Sequence, residues 1–224
     1  MRGVFVTGTG TEVGKTVVAA VVAHTLAAAG ERVAVFKPAV TGLNEPGEAD
    51  HELLRRAAGS TQADEEIAPY RYGPPASPHL AASMAGGAID PERLRGAARA
   101  AAESADALVC EGVGGLLVPL APDYMVRDLA VDLALPLVIA AAPGLGTINH
   151  TLLTLEAARA AGLAVAAVVL TPWPEDPSEV EKSNRETIAG LGEVRVETLP
   201  RLDLSTPSSW PSPALLPPAA RRPG

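Results

Sequence analysis

The stretch TGTGTEVGKT, residues 7–16, decides how the rest of the chain is read. It ends in Gly14-Lys15-Thr16, the close of a phosphate-binding loop, yet the usual pattern G-x-x-x-x-G-K-[ST] puts Thr9 where the first glycine belongs. Gly8 lies one residue too far and Gly10 one too near. The context is nonetheless that of a phosphate loop. An apolar run, GVFVTG at 3–8, precedes it, and a helical pattern, KTVVAAVVAHTLAAAG at 15–30, follows. At such a strand-to-helix junction, backbone N–H groups and the helix N-terminus converge on an anion. Lys15 then reaches the terminal phosphates as a flexible point charge, and the Thr16 hydroxyl ligates Mg²⁺. Glycines that merely permitted a tight turn would leave the adjacent Lys and Thr unexplained.

Outward from the loop, short β-branched runs alternate with alanine-rich stretches. RVAVFKP (32–38), DALVCEG (106–112), LPLVIAAAPG (135–144), AVAAVVL (164–170) and EVRVETLP (193–200) read as strands. ADHELLRRAAG (49–59), DPERLRGAARAAAESA (90–105), TINHTLLTLEAARAAG (147–162) and SEVEKSNRETIAGLG (178–192) read as helices, with Asp90 as a cap and Pro91 at a first helical position. The order β-α-β-α-α-β-β-α-β-α-β predicts a single α/β domain over residues 1–204, a mostly parallel sheet with helices on both faces, of the P-loop NTPase kind. YRYGPPASPHLAA (70–82) reads as a long loop. From Ser205 to residue 224 proline is too dense for helix or sheet, which predicts a poorly ordered tail that the chain can lose after Asp203 without losing activity.

Composition narrows the class. The 224 residues carry a net charge of −8 and no long block of Lys or Arg, which argues against a nucleic-acid partner. Cys110 is the single cysteine, so no internal disulfide is expected and a reducing compartment fits. GVFVTG is too short and too soon broken for a signal peptide or membrane span. The expectation is a cytoplasmic protein with no membrane partner.

A magnesium nucleotide site needs carboxylates at the C-terminal ends of strands. Glu111 is so placed, ending the run ALVC before GVGG, whose backbone has the freedom to approach a phosphate. Asp50 is open to two readings, since EADHE is equally an acidic helix start favoured by the helix dipole. Lys37 follows the apolar VAVF and emerges beside the P-loop if the two strands are parallel neighbours, where a second cation would serve phosphoryl transfer. His24, His51, His79 and His150 show no metal-ligand spacing. Ser77 and Cys110 have no partnered base that sequence reveals.

FVTGTGTEVGKT (5–16), KPAVTG (37–42), EGVGGLLVPL (111–120) and GLGTINHTLLTLEAARAAG (144–162) together closely resemble dethiobiotin synthetase, the ATP-dependent family that closes the ureido ring in biotin biosynthesis. The resemblance runs in order from about residue 4 to 203, and the family's longer spacing G-x-x-x-x-x-G-K-T is met by Gly8 and Gly14. It implies a ligase that takes 7,8-diaminopelargonate and CO₂ or bicarbonate, with ATP as co-substrate and Mg²⁺. By matching position, Lys15 and Lys37 would neutralise charge on the γ-phosphate and a carbamate, while Thr11 and Thr41 would hydrogen-bond the carbamate or diamine. Thr16, Asp50 and Glu111 would hold Mg²⁺. The nucleotide would rest on Glu12, Val13, Gly14, Lys15 and Thr16, on the turn Gly112, Val113 and Gly114, and beneath Pro200, Arg201 and Leu202. Leu145, Gly146, Thr147 and Asn149 would receive the substrate's carboxylate tail from the neighbouring subunit of a homodimer. Without the resemblance, GLGTINH reads as an ordinary turn with a Thr cap.

One departure concerns the base. Familiar members carry an Asn-Asp pair after the fifth strand to read adenine, where this chain has Thr171 and Pro172. Proline has no N–H and threonine cannot make a paired amide contact, so the expectation is a relaxed preference, with CTP or GTP also used. A glutamine-dependent amidase-ligase would need a glutaminase domain, for which this chain has no room. A nucleotide switch of the partitioning type, without ligase activity, is the alternative from another class. Such proteins usually carry a second lysine near the loop's start, where this chain has threonine and glycine.

Overall fold

The computed structural model describes residues 2–212 and 215. Its first half runs β1 (Gly3–Gly8), α1 (Lys15–Ala28), β2 (Val33–Phe36), α2 (Asp50–Ala58), α3 (Asp64–Ile67), α4 (Pro78–Met84) and α5 (Pro91–Glu103). The second half runs β3 (Ala107–Gly115), β4 (Pro119–Ala121), β5 (Tyr124–Met125), α6 (Val126–Leu133), β6 (Leu137–Ala141), α7 (Thr147–Ala160), β7 (Val165–Trp173), α8 (Glu179–Gly192) and β8 (Val196–Pro200). Six strands form one parallel sheet in the order β2-β3-β1-β6-β7-β8.

The strands are mainly apolar because both faces of the sheet are covered. Along β1, Val4 and Val6 join Val18 and Val22 of α1 and Leu54 of α2 on one face. Phe5 points the other way, into a cluster with Leu94 of α5 and Leu129 of α6. A third cluster places Ile139 and Val168 under Leu155 of α7 and Ile188 of α8. The chain builds outward from β1 to β2, returns to β3, then crosses to β6 on the far side. The strand order therefore reverses at β1, where open α/β sheets lodge their ligands. The P-loop stands at that point.

Three expectations change. The stretch 70–82 is loop only as far as Ser77, because Pro78 at the first helical position starts α4. The remaining loop is laced to residues 40–44: Val40 bridges Arg71, and the N–H groups of Gly42, Leu43 and Asn44 donate to the carbonyls of Pro74, Tyr72 and Gly73 at 3.1, 3.2 and 3.0 Å. Between β3 and β6 the chain also makes the β4–β5 hairpin and α6. A two-residue strand and an eight-residue helix are too short for either period to show in the sequence.

The third correction is the tail. Trp210 and Leu215 are 6 % and 4 % exposed in the cluster under α1, so the segment after Ser205 is packed in its first part. Proline density leaves the segment only a single 3-10 turn at Pro207–Ser209, but it does not prevent one large aromatic side chain from anchoring it. Residues 213, 214 and 216–224 of that tail lie outside the described residues. Ending the chain at Asp203 is now expected to cost roughly 3 kcal/mol through the lost aromatic packing, or about 6–12 °C in Tm. A calorimetric scan checks this, and an unchanged Tm would return the segment to a dispensable tail. Among the described residues, no helix is long and apolar enough to cross a membrane.

Candidate active site

The loop after β1 is shaped by two glycines. A Cβ on Gly8 would meet Val13 Cγ2 at 2.7 Å and Lys15 Cγ at 2.9 Å, whereas Gly10 has nothing within 4 Å. Gly8 is thus the first glycine the loop requires, and the long spacing is its working geometry. Gly14 takes φ 82°, and a Cβ there would stand 2.5 Å from Thr171 Cγ2 at the end of β7. The Thr9 N–H donates to the Ala140 carbonyl at 3.0 Å, tying the loop to β6. Lys15 opens α1 and its Nζ donates to the Gly10 carbonyl at 2.7 Å, so the loop closes around its own lysine.

Beneath the loop four side chains meet. Thr16 Oγ1 lies 2.9 Å from Asp50 Oδ1 and 2.9 Å from Glu111 Oε1. Lys37 Nζ lies 2.5 Å from Asp50 Oδ2 and 2.6 Å from Glu111 Oε1. The sheet register contributes to this meeting: Phe36 pairs with Cys110 and Val6 with Glu111, so Lys37, just beyond β2, comes level with Glu111 inside β3 near the end of β1. Asp50 arrives from the first turn of α2. It is therefore both the acidic helix start and a member of the site.

Burial and charge oppose one another here. Glu111 is fully buried, which pushes its carboxyl above the usual range, and Asp50 adds to this while Lys37 and Thr16 pull it back. The Asp50 side chain is 43 % exposed. Burial tends to raise its carboxyl, but Lys37, Thr16 and Lys15 outweigh that and hold it low. Burial would also lower Lys37, and its two carboxylates overcome this and raise it. Lys15 has a pKa below its ordinary value, chiefly from burial, with Glu111 opposing and Lys37 adding.

The donor set fits a hard cation. Glu111 Oε2 is buried with no hydrogen-bond partner among the described residues, an acceptor left over once Oε1 has served Thr16 and Lys37. Among the described residues no three His, Cys, Asp or Glu side chains converge. Mg²⁺ at nucleotide sites asks for no more than one or two carboxylates, because phosphates and waters complete its shell.

A cavity of about 780 Å³ opens above this floor. Thr11, Glu12, Gly14, Lys15 and Thr16 line it from the loop, Lys37, Thr41, Asp50 and Glu111 from below, and Val113 and Gly114 from the side. Sequence reasoning missed Gly42, Glu45 and Pro75–Pro78 on the opposite wall; the laced loops bring them there, and only the density of turn residues at 73–78 signalled it.

The other expected residues stand elsewhere. Val13 packs inward, toward the α1 cluster, and Gly112 is wedged between Val126 and Phe5. Thr171 is buried against Gly14. Pro200 ends β8 and Arg201 and Leu202 follow it, all three outside the cavity lining. Leu145, Gly146, Thr147 and Asn149 open α7, also outside it: Leu145 is 96 % exposed, and Thr147 is buried against Thr151. Beside them a groove of about 410 Å³ runs from Gly8–Thr11 to His150 and Leu153, with exposed Leu117 on its rim.

Comparison with known proteins adds to this geometry. Residues 2–209 match the family described as an AAA domain. The chain is 47 % identical over 182 residues to the ATP-dependent dethiobiotin synthetase of Anaeromyxobacter dehalogenans, covering 80 % of this chain and 81 % of that one. It is 37 % identical over 192 residues to the protein of the same name from Bacillus subtilis, covering 85 % and 83 %. Among solved structures, a nucleotide-binding protein of Archaeoglobus fulgidus in complex with ADP matches with a TM-score of 0.52 at 16 % identity, over 92 % of this chain and 85 % of that one. That likeness concerns the fold alone.

Proposed function

The chain belongs to the ATP-dependent dethiobiotin synthetase family, and from that premise we propose that it closes the ureido ring of dethiobiotin from 7,8-diaminopelargonate and CO₂ in the cavity above the P-loop. The observation that carries the residue assignment is the convergence of Lys15 and Lys37 with Thr16, Asp50 and Glu111 on one cavity. Its volume suits nucleotide phosphates and a small diamine together.

In this reading an amine of the substrate attacks CO₂ and loses a proton, giving a carbamate. A carbamate oxygen attacks the γ-phosphorus and ADP leaves. The second amine then attacks the carbonyl carbon of the carbamic-phosphoric anhydride, phosphate leaves and the ring closes. Every step develops or transfers oxyanion charge, and in this reading Lys15 and Lys37, both on the cavity lining, are the cations that meet it. Thr11 and Thr41, both on the cavity wall, orient the carbamate and the diamine by hydrogen bonds. Thr16, Asp50 and Glu111 would hold Mg²⁺, which when bound supplies neutralisation of phosphate charge.

The substrate's carboxylate tail is assigned to the start of α7 in a second copy of the chain, where Leu145, Gly146, Thr147 and Asn149 offer a helix N-terminus. The exposed Leu145, Leu117 and Leu153 support a homodimer that covers this face. The working compartment is the cytoplasm.

For the base, Thr171 turns its side chain onto Gly14 and Pro172 has no N–H, so neither offers adenine a paired amide. CTP or GTP is expected to support ring closure at no less than about a tenth of the ATP kcat/KM, the range left when one polar discrimination is missing. A panel of nucleotides at equal diamine checks this, and strict ATP dependence sinks it. The reaction itself is tested by ADP release, which is expected only when diamine and bicarbonate are both present. Equal release without them would favour a nucleotide switch.

A further inference from the structure

The carboxylates that line the cavity above the P-loop are Glu12, Glu45, Asp50 and Glu111. Asp50 and Glu111 are taken by Lys37 and Thr16, and Glu12 stands on the phosphate loop itself. Glu45 lies on the opposite wall, with Gly42 and Pro75–Pro78. It is exposed, and its carboxylate has no hydrogen-bond or ion-pair partner among the described residues. The chain nevertheless fixes where it stands. Gly42 takes φ 83°, and the Glu45 N–H closes a turn onto the Gly42 carbonyl at 2.9 Å. The residues just before it are those laced to 72–74, and Gly73 leaves the room this needs: a Cβ there would stand 2.7 Å from the Asn44 side chain. A second cavity, of about 550 Å³, shares Thr41, Gly42, Glu45 and Asp50 with the first. Its other carboxylates and its arginine are committed. Glu48 grips Arg56, Asp64 pairs with Arg55, Glu52 accepts from the Ala49 N–H at 3.1 Å, and Arg71 lies 3.9 Å from Glu65. Glu45 therefore stands uncommitted where the two cavities adjoin.

We propose that Glu45 is a specificity-determining residue for the diamine, binding one of its two amines as an ammonium while the other captures CO₂. This rests on the ring-closing reading above. An aliphatic amine keeps its proton at neutral pH unless its surroundings force it off. Only one amine has to be neutral to take up CO₂, so the second waits as a cation. Lys15 and Lys37 on the same lining repel that cation, and Lys37 already neutralises Asp50 and Glu111. Glu45 is the partner left to it. The same carboxylate turns phosphate away, so nucleotide and waiting amine are sorted to opposite sides of the cavity by sign.

Two substitutions test the sign of the charge, and neither reaches the core, because Glu45 is exposed. Glu45→Gln keeps the shape and removes the charge, while Glu45→Lys reverses it. With KM measured separately for each substrate, the diamine KM is expected to rise about fivefold in Glu45→Gln, the scale of a charged hydrogen bond reduced by solvent screening. It should rise further in Glu45→Lys, which sets like charges together. The ATP KM should stay within about twofold in both, since the lost contact is made only to the diamine. Raising KCl should lift the diamine KM of the wild type more steeply than that of Glu45→Gln. An unchanged diamine KM in Glu45→Gln, an equal rise in both KM values, or a Glu45→Lys value no higher than that of Glu45→Gln overturns the proposal, while wild-type ring closure leaves the functional reading intact. A wild-type protein that consumes no ATP with diamine and bicarbonate overturns both.

Discussion

Lys15→Ala is expected to lower turnover at least ~10³-fold, the scale of removing a preorganised partner from developing oxyanion charge. The reason lies in how the loop is built. Gly8 lets the Lys15 stem pass close over the end of β1, and the ammonium is held inside the loop on the Gly10 carbonyl. The charge is therefore placed before any phosphate arrives. Nucleotide affinity should fall as well, because the cation meets phosphate in the ground state too. Lys15→Arg restores charge but not shape, since a planar fork cannot replace a compact ammonium under so close a turn. It should recover less than about a tenth of the lost rate. Steady-state kinetics with calorimetric nucleotide binding measure both effects, and a kcat within tenfold of wild type would remove Lys15 from the phosphate site.

Lys37→Ala is the second large effect, and it has a signature that Lys15 lacks. Turnover should drop at least ~10²-fold. The substitution also strips Glu111, fully buried, of its cation while Asp50 stays beside it. Breaking a buried pair in this way costs roughly 3–5 kcal/mol. The lower end applies, because the Asp50 side chain is 43 % exposed and water reaches it. A divalent cation on Thr16, Asp50 and Glu111 would offset the missing ammonium, so Mg²⁺ should raise the Tm of the variant more than that of the wild type. Scanning calorimetry with and without MgCl₂ reads this directly. Near-normal turnover, or a Tm indifferent to both the substitution and the ion, would place Lys37 outside the site.

The residues that sequence alone made legible are those whose role is local. The six strands of the main sheet declared themselves as apolar β-branched runs, and the P-loop through Lys15 and Thr16 after a strand. Glu111 was legible because a carboxylate ending the run ALVC has few structural excuses. Lys37 was placed by taking β2 as the neighbour of β1, but β3 lies between them, and it is the β2–β3 register that brings Lys37 level with Glu111.

Asp50 stayed open because its local signal, an acid at a helix start, is satisfied without any ligand. Only the packing of α2 against α1 brings it to Thr16. Thr171 was read for the base, and its contact with Gly14 joins the start of α1 to the end of β7, a long-range approach that no local pattern encodes. The wall at Pro75–Pro78 depends on backbone bonds between residues 42–44 and 72–74, which leave no periodicity. Trp210 was hidden by its proline-rich surroundings, which describe what the backbone cannot do and say nothing of where one indole docks.

The most direct test supplies the purified protein with ATP, Mg²⁺, 7,8-diaminopelargonate and ¹³C-bicarbonate, and follows the label by NMR. The expected result is ¹³C at the ureido carbonyl of dethiobiotin, with ADP and phosphate appearing in equal amounts with the ring. ADP and phosphate released with no labelled ring would contradict the assignment of this cavity to ring closure.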